Sequence, residues 1–224
     1  MKLISYGCSF IFGMDIDDAT MIPGTAGRPS KKTWPALLAK HLGSRHTCRA
    51  YPGCGNLLIA ERILLDIESL GLNSRFVIGW SWIDRFDYND SDHNDNWNTI
   101  RPGCTDKNSK FYYKNLQSEY RDKLVSLMTI KCVIDALKAK KIPFVMTYMD
   151  DLLFDTRWNT SDSIKYLQDY IRPYMTDFEG KTFLEWSRQN GYAESTNWHP
   201  LEQAHKAAAD YMIEKQQVNR LWQN

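Results

Sequence analysis

Lys2-Leu3-Ile4-Ser5-Tyr6-Gly7-Cys8-Ser9-Phe10-Ile11-Phe12-Gly13 opens the chain with a short apolar run that breaks at a glycine and delivers a serine. Such a run, bounded by a turn residue, reads as a buried strand over 2–6 that enters a turn at Gly7. A serine hydroxyl is a weak nucleophile until a neighbouring base takes its proton. A tight strand-to-helix turn both exposes it and aims the first helical N–H groups at a developing oxyanion. Glycine permits that turn. Taken alone, a serine at a strand end more often caps a short helix than acts as a nucleophile.

Working outward, the strand, turn and helix order recurs. Residues 14–32 are rich in Asp, Gly, Pro and Thr without a period and read as a loop; Trp34, Leu37, Leu38 and Leu42 then give a helix that ends near Gly43. A second strand over 47–51 meets Pro52-Gly53-Cys54-Gly55-Asn56, and Leu58, Ile59, Ile63 and Ile67 continue as an amphipathic helix. Glycines before a helix either let backbone N–H groups approach a ligand or form an ordinary turn. Residues 75–82, with Phe76, Val77, Ile78, Trp80 and Trp82, read as a central parallel strand whose end is polar at Ser81, Asp84 and Arg85. Residues 86–110, crowded with Asp, Asn and Ser, are expected to be a loop insertion.

Tyr120, Leu124, Leu127, Ile134 and Leu137 mark a helix to about residue 140, and 143–148 supply the next strand. Helices follow over 163–174 and 182–190. A last helix, marked by Ala204, Ala207, Ala208, Tyr211 and Met212, is expected to open at His199-Pro200 with proline in its first turn. Strands alternating with helices predict an α/β fold, a three-layer α/β/α sandwich around a mostly parallel, flavodoxin-like sheet, as one domain over 1–224. Ligands of such sheets bind at the carboxyl ends of the strands. Ser9, Gly53, Ser81 and Asp150 all fall just past a predicted strand end.

Hydrophobic residues make up 43% of the 224 residues and charged ones 25%, enough apolar surface for a core and far from the composition of disordered chains. A formal net charge of +1, with both signs interspersed, argues against a nucleic-acid or membrane-surface partner. Cys8, Cys48, Cys54, Cys104 and Cys132 are odd in number and contain no C-x-x-C pair, so neither a disulfide framework nor a zinc ribbon is expected. The first apolar run is too short for a signal-peptide core or a membrane span, which points to the cytoplasm.

Three segments together resemble the sequence blocks of the SGNH (GDSL-like) hydrolases, in order and over nearly the whole chain. Gly7-Cys8-Ser9 is similar to the G-D-S block with cysteine in place of aspartate. The resemblance gives Ser9 the nucleophile role and one oxyanion N–H, and Gly53 a second. Ile78-Gly79-Trp80-Ser81 falls where G-x-N-D would lie, which puts Ser81 in the place of the asparagine donor, with Trp80 beside it and Asn56 beside Gly53. His199-Pro200 resembles the end of D-x-x-H-P, making His199 the base. Thr196 stands where the orienting aspartate belongs, and Asn197, Glu194 or a backbone carbonyl are the substitutes considered.

The expected activity is therefore serine ester hydrolysis by a dyad or atypical triad, on a small-molecule or glycan ester, without a cofactor. The alternatives are a binding or assembly protein that kept the fold and lost the chemistry, and an O-acyltransferase using the same site. Asp90-Ser91-Asp92-His93-Asn94-Asp95 begins like a calcium loop but has Asp95 where glycine is required and Arg101 in place of the closing glutamate, so no metal is expected. Asp150-Asp151 is a weaker cleft candidate, Trp97 and Trp158 are candidate sugar-stacking rings, and His205 reads as structural.

Overall fold

The structure is a computed structural model that describes residues 1–22, 27–70, 73–89 and 97–215. In chain order its elements are β1 (Lys2–Gly7), α1 (Ser9–Phe12), α2 (Trp34–His41), β2 (Arg45–Cys48), α3 (Asn56–Leu70), β3 (Ser74–Trp80), β4 (Phe86–Asn89) and β5 (Trp97–Ile100). They continue as α4 (Lys107–Asn115), α5 (Glu119–Ala139), β6 (Phe144–Tyr148), α6 (Asp162–Ile171), α7 (Phe183–Gln189) and α8 (Glu202–Glu214). The central sheet has the order β2-β1-β3-β6, and every pairing in it is parallel.

All seven residues of β3 are buried, as expected of a parallel strand covered on both faces. One helical layer is α3, α5 and α6 and the other is α2 packed on α8, giving the expected α/β/α sandwich. The chain leaves β1 for β2 on one side and later adds β3 on the other, so the strand order reverses between β1 and β3. Crevices of open α/β sheets form at that reversal.

Two glycines allow the turn after β1. Gly7 and Gly79 face each other in the β1–β3 register, and Ile11 of α1 packs down over both. A Cβ on Gly7 would lie 2.5 Å from the Ile11 side chain and one on Gly79 2.6 Å from it. Only a bare backbone lets α1 descend this far, so Ser9 begins its helix directly at the carboxyl end of the central strands.

Three expectations change. Residues 86–110 are not a plain loop: β4 and β5 pair antiparallel, Phe86 with Ile100 through Asn89 with Trp97, and α4 begins at Lys107 behind an Asp106 cap. The acid-rich run 90–95 lies outside the described residues. The last helix starts at Glu202, after a Leu201 cap, not at His199-Pro200. Pro200 instead bridges antiparallel to Glu194, and backbone bonds from Ser195 to His199 (2.9 Å) and from Leu201 to Ala193 (3.2 Å) close residues 193–201 into a turn of their own. Finally, the second strand sits at Arg45–Cys48, two residues earlier than its pattern suggests. No helix among the described residues is long and apolar enough to cross a membrane.

Candidate active site

A cleft of about 850 Å³ lies where β1 and β2 end, within the range of ligand sites, and its walls include Ser9, Gly53, Thr196, Asn197 and His199. The first and last parts of the chain thus meet. Ser9 is the first residue of α1, behind Cys8 in extended conformation, so its N–H lies at a helix start without an intrahelical acceptor. Gly53 turns the chain at φ 88°, a left-handed conformation that glycine adopts freely. Among the described residues neither the Ser9 nor the Gly53 N–H has a hydrogen-bond partner. The Ser9 hydroxyl and the His199 ring share the cleft without a hydrogen bond between them.

Behind His199 stands a residue the sequence reading did not single out. The Nδ1–H donates to Asp15 Oδ2 at 2.7 Å, which leaves Nε2 as the free, basic nitrogen. The same carboxylate oxygen accepts from Ser195 Oγ at 2.7 Å and from Asn197 Nδ2 at 3.2 Å. Burial works against the Asp15 charge, but the bonds from His199, Ser195 and Asn197 outweigh it and hold the carboxyl below its usual range.

Ser195 Oγ also accepts from the His199 and Asn197 backbone N–H groups, both at 3.2 Å, so one short turn carries the imidazole and its supports. Asp15 and Trp198 both sit at positive φ, 68° and 62°. For tryptophan that is a strained backbone, retained by the bonds that close the 193–201 turn.

The other expected residues sort themselves by burial. Asn197 supports Asp15 rather than the imidazole, and Glu194 pairs with Arg188 at 2.9 Å. Thr196 lines the cleft but makes no contact behind the histidine. Asn56, Ser81 and Trp80 are not among the cleft residues. Asn56 accepts from the Ser81 N–H at 2.7 Å and donates to the Ser81 carbonyl and to Ser126, so its amide fixes the end of β3. Ser81 is 2% exposed and its Oγ is buried without a partner among the described residues. Trp80 is core, with its indole N–H on Met146 Sδ.

Cys8 explains its own departure from the G-D-S pattern. It is fully buried with Sγ against Met149, an apolar setting in which an aspartate would be an uncompensated charge.

Asp150 accepts from the Ile83 and Leu152 N–H groups, and burial pushes its carboxyl up to about 6. It ties the loop after β3 to the loop after β6 and does not line the cleft itself. Trp97 and Trp158 pack against the core, whereas Trp82 and the exposed Trp198 face the cleft. His205 is fully buried and its Nδ1 accepts from the Trp34 N–H at 3.2 Å. None of the five cysteines is bridged.

No protein-family model matches the sequence, and no curated protein matches it. Solved structures do. A lipolytic protein of the G-D-S-L family from Veillonella parvula superposes with a TM-score of 0.54 at 12% identity, over 96% of this chain and 97% of that one. A psychrotrophic esterase from Pseudoalteromonas sp., solved with monoethylphosphonate as inhibitor, gives 0.55 at 9% identity over 97% and 98%. An acetylxylan esterase from Geobacillus stearothermophilus gives 0.52 at 10% identity over 95% and 92%. The chain has the fold of the SGNH hydrolases.

Proposed function

We propose that the chain is a serine ester hydrolase in which Ser9, His199 and Asp15 act as nucleophile, base and orienting acid. His199 Nε2 takes the Ser9 proton as Oγ attacks the ester carbonyl, and the Ser9 and Gly53 N–H groups receive the resulting oxyanion. The protonated imidazole, its charge balanced by Asp15, then gives its proton to the departing alcohol. Water attacks the acyl-enzyme with His199 again as base, which releases the acid and regenerates Ser9.

The observation that carries this reading is the Asp15–His199 contact, 2.7 Å long, in the cleft that also holds Ser9. It favours an enzyme over a binding protein, because a carboxylate at the cleft rim that fixes one imidazole tautomer adds nothing to the packed core. Solved neighbours described as carbohydrate and acetylxylan esterases, together with Trp82 and Trp198 in the cleft, support an acylated sugar as the substrate class.

The test is p-nitrophenyl acetate hydrolysis by the chain and by Ser9→Ala. The variant is expected to lose turnover by about 10³-fold or more, as nucleophile removal does in serine hydrolases. Undiminished activity in Ser9→Ala excludes the mechanism.

A further inference from the structure

The cleft carries more positive charge than ester hydrolysis needs. Arg85, Arg101 and Arg188 line it, against Asp84 as the carboxylate outside the histidine pair. Arg188 is neutralised by Glu194, and burial holds the Asp84 carboxyl above its usual range. Arg85 is fixed, with one N–H on the Cys54 carbonyl at 2.9 Å and its guanidinium 4.6 Å from the centre of the Trp82 ring.

Arg101 differs. Its guanidinium makes no hydrogen bond or ion pair among the described residues, yet it lies over the turn that offers the Gly53 N–H. A Cβ on Gly53 would stand 2.9 Å from Arg101 Nη1. The chain as a whole is close to neutral, so this is a local concentration of cations.

We infer that the ester processed at Ser9 carries a second, negatively charged group, a carboxylate, phosphate or sulfate, bound by Arg101 with Arg85 beside it. The inference rests on the hydrolase reading of the site. A guanidinium offers paired N–H donors in a plane that matches an oxyanion, and a partly enclosed cleft screens the attraction less than open water does. Bound there, the charged group would fix the ester carbonyl close to the Ser9 and Gly53 donors, and the aromatic walls of Trp82 and Trp198 would cover the uncharged part of the substrate.

The experiment compares kcat/KM for two matched pairs, mono-p-nitrophenyl adipate against p-nitrophenyl hexanoate, and 4-acetoxybenzoate against 4-acetoxybenzamide. The first pair places the charge on the acyl side and the second on the alcohol side. At least one charged ester is expected to be preferred over its neutral partner. That preference should fall about tenfold or more in Arg101→Met, return in Arg101→Lys and shrink with added salt.

Equal losses on both members of a pair would assign Arg101 to the tetrahedral oxyanion and overturn the inference, as would no preference for charge in the unmodified chain. Failure of all four esters to react counts against the hydrolase reading itself. Calorimetric titration of Ser9→Ala with 4-acetoxybenzoate and 4-acetoxybenzamide then measures charge preference without turnover. Equal or undetectable binding of the two overturns the inference there too.

Discussion

Asp15 reaches His199 from the loop that follows Ser9, not from the segment that carries the histidine. Its partner is 184 residues away in sequence, and nothing in Met14-Asp15-Ile16-Asp17-Asp18 distinguishes this acid from its neighbours. Ser9, Gly53 and His199, which share the cleft, drew notice in the sequence through a strand end, a glycine turn and a histidine-proline pair in the order of the SGNH blocks; Asp15 did not, because a loop contact between distant segments leaves no period behind. Asp17 and Asp18 go elsewhere, Asp17 to the Lys32 ammonium and Asp18 to the Lys31 backbone N–H.

Asp15→Asn keeps a residue that tolerates positive φ and removes only the charge and the acceptor preference. It is expected to lower kcat by up to about 10⁴-fold with KM little changed, the size of effect seen when the acid of a Ser-His-Asp enzyme is neutralised. A loss below about threefold in steady-state ester hydrolysis would show that the imidazole does not depend on Asp15.

At the scale of elements, the β4–β5 hairpin braces the start of α3, just after the turn that carries the proposed Gly53 donor. Asp87, 5% exposed, accepts from the Gly55 and Leu58 N–H groups, both at 2.8 Å, and from Thr99 Oγ1, so one carboxylate closes the start of α3 and ties the hairpin to it. The stretch looked like a loop because its polar residues dominate the composition. In β4 the buried position is the aspartate itself, and a reader of hydrophobic alternation sees no strand in Phe86-Asp87-Tyr88-Asn89.

Asp87→Ala strips two buried helix donors of their acceptor and should cost about 2–4 kcal/mol in urea denaturation. A change within about 0.5 kcal/mol would mean that the donors find water and that the hairpin does not support α3. The strands and helices around this region were legible by contrast: β3 is an unbroken apolar run, and α5 shows helical spacing over its whole length.

Across the whole molecule, the order β2-β1-β3-β6 decides which distant segments become neighbours. Its reversal at β1 opens the crevice into which the β1 turn, the β2 turn and the 193–201 segment all project. The packing of α8 against α2 anchors the end of that last segment, so the histidine arrives where the serine waits. The parallel sheet, and candidate residues gathered at its strand ends, followed from alternating strands and helices. What did not follow is the detail at each turn: a proline expected inside a helix instead precedes it, and Ser81, which occupies the expected donor position, is held within the core.

Hydrolysis as proposed needs an early hydroxyl activated by a late imidazole, and a fluorophosphonate probe reads that activation directly. The folded chain is expected to be labelled on Ser9, located by peptide mapping, and His199→Ala of unchanged circular dichroism should label at least about 100-fold more slowly. Absence of label on Ser9, or labelling of His199→Ala at the unmodified rate, would contradict it.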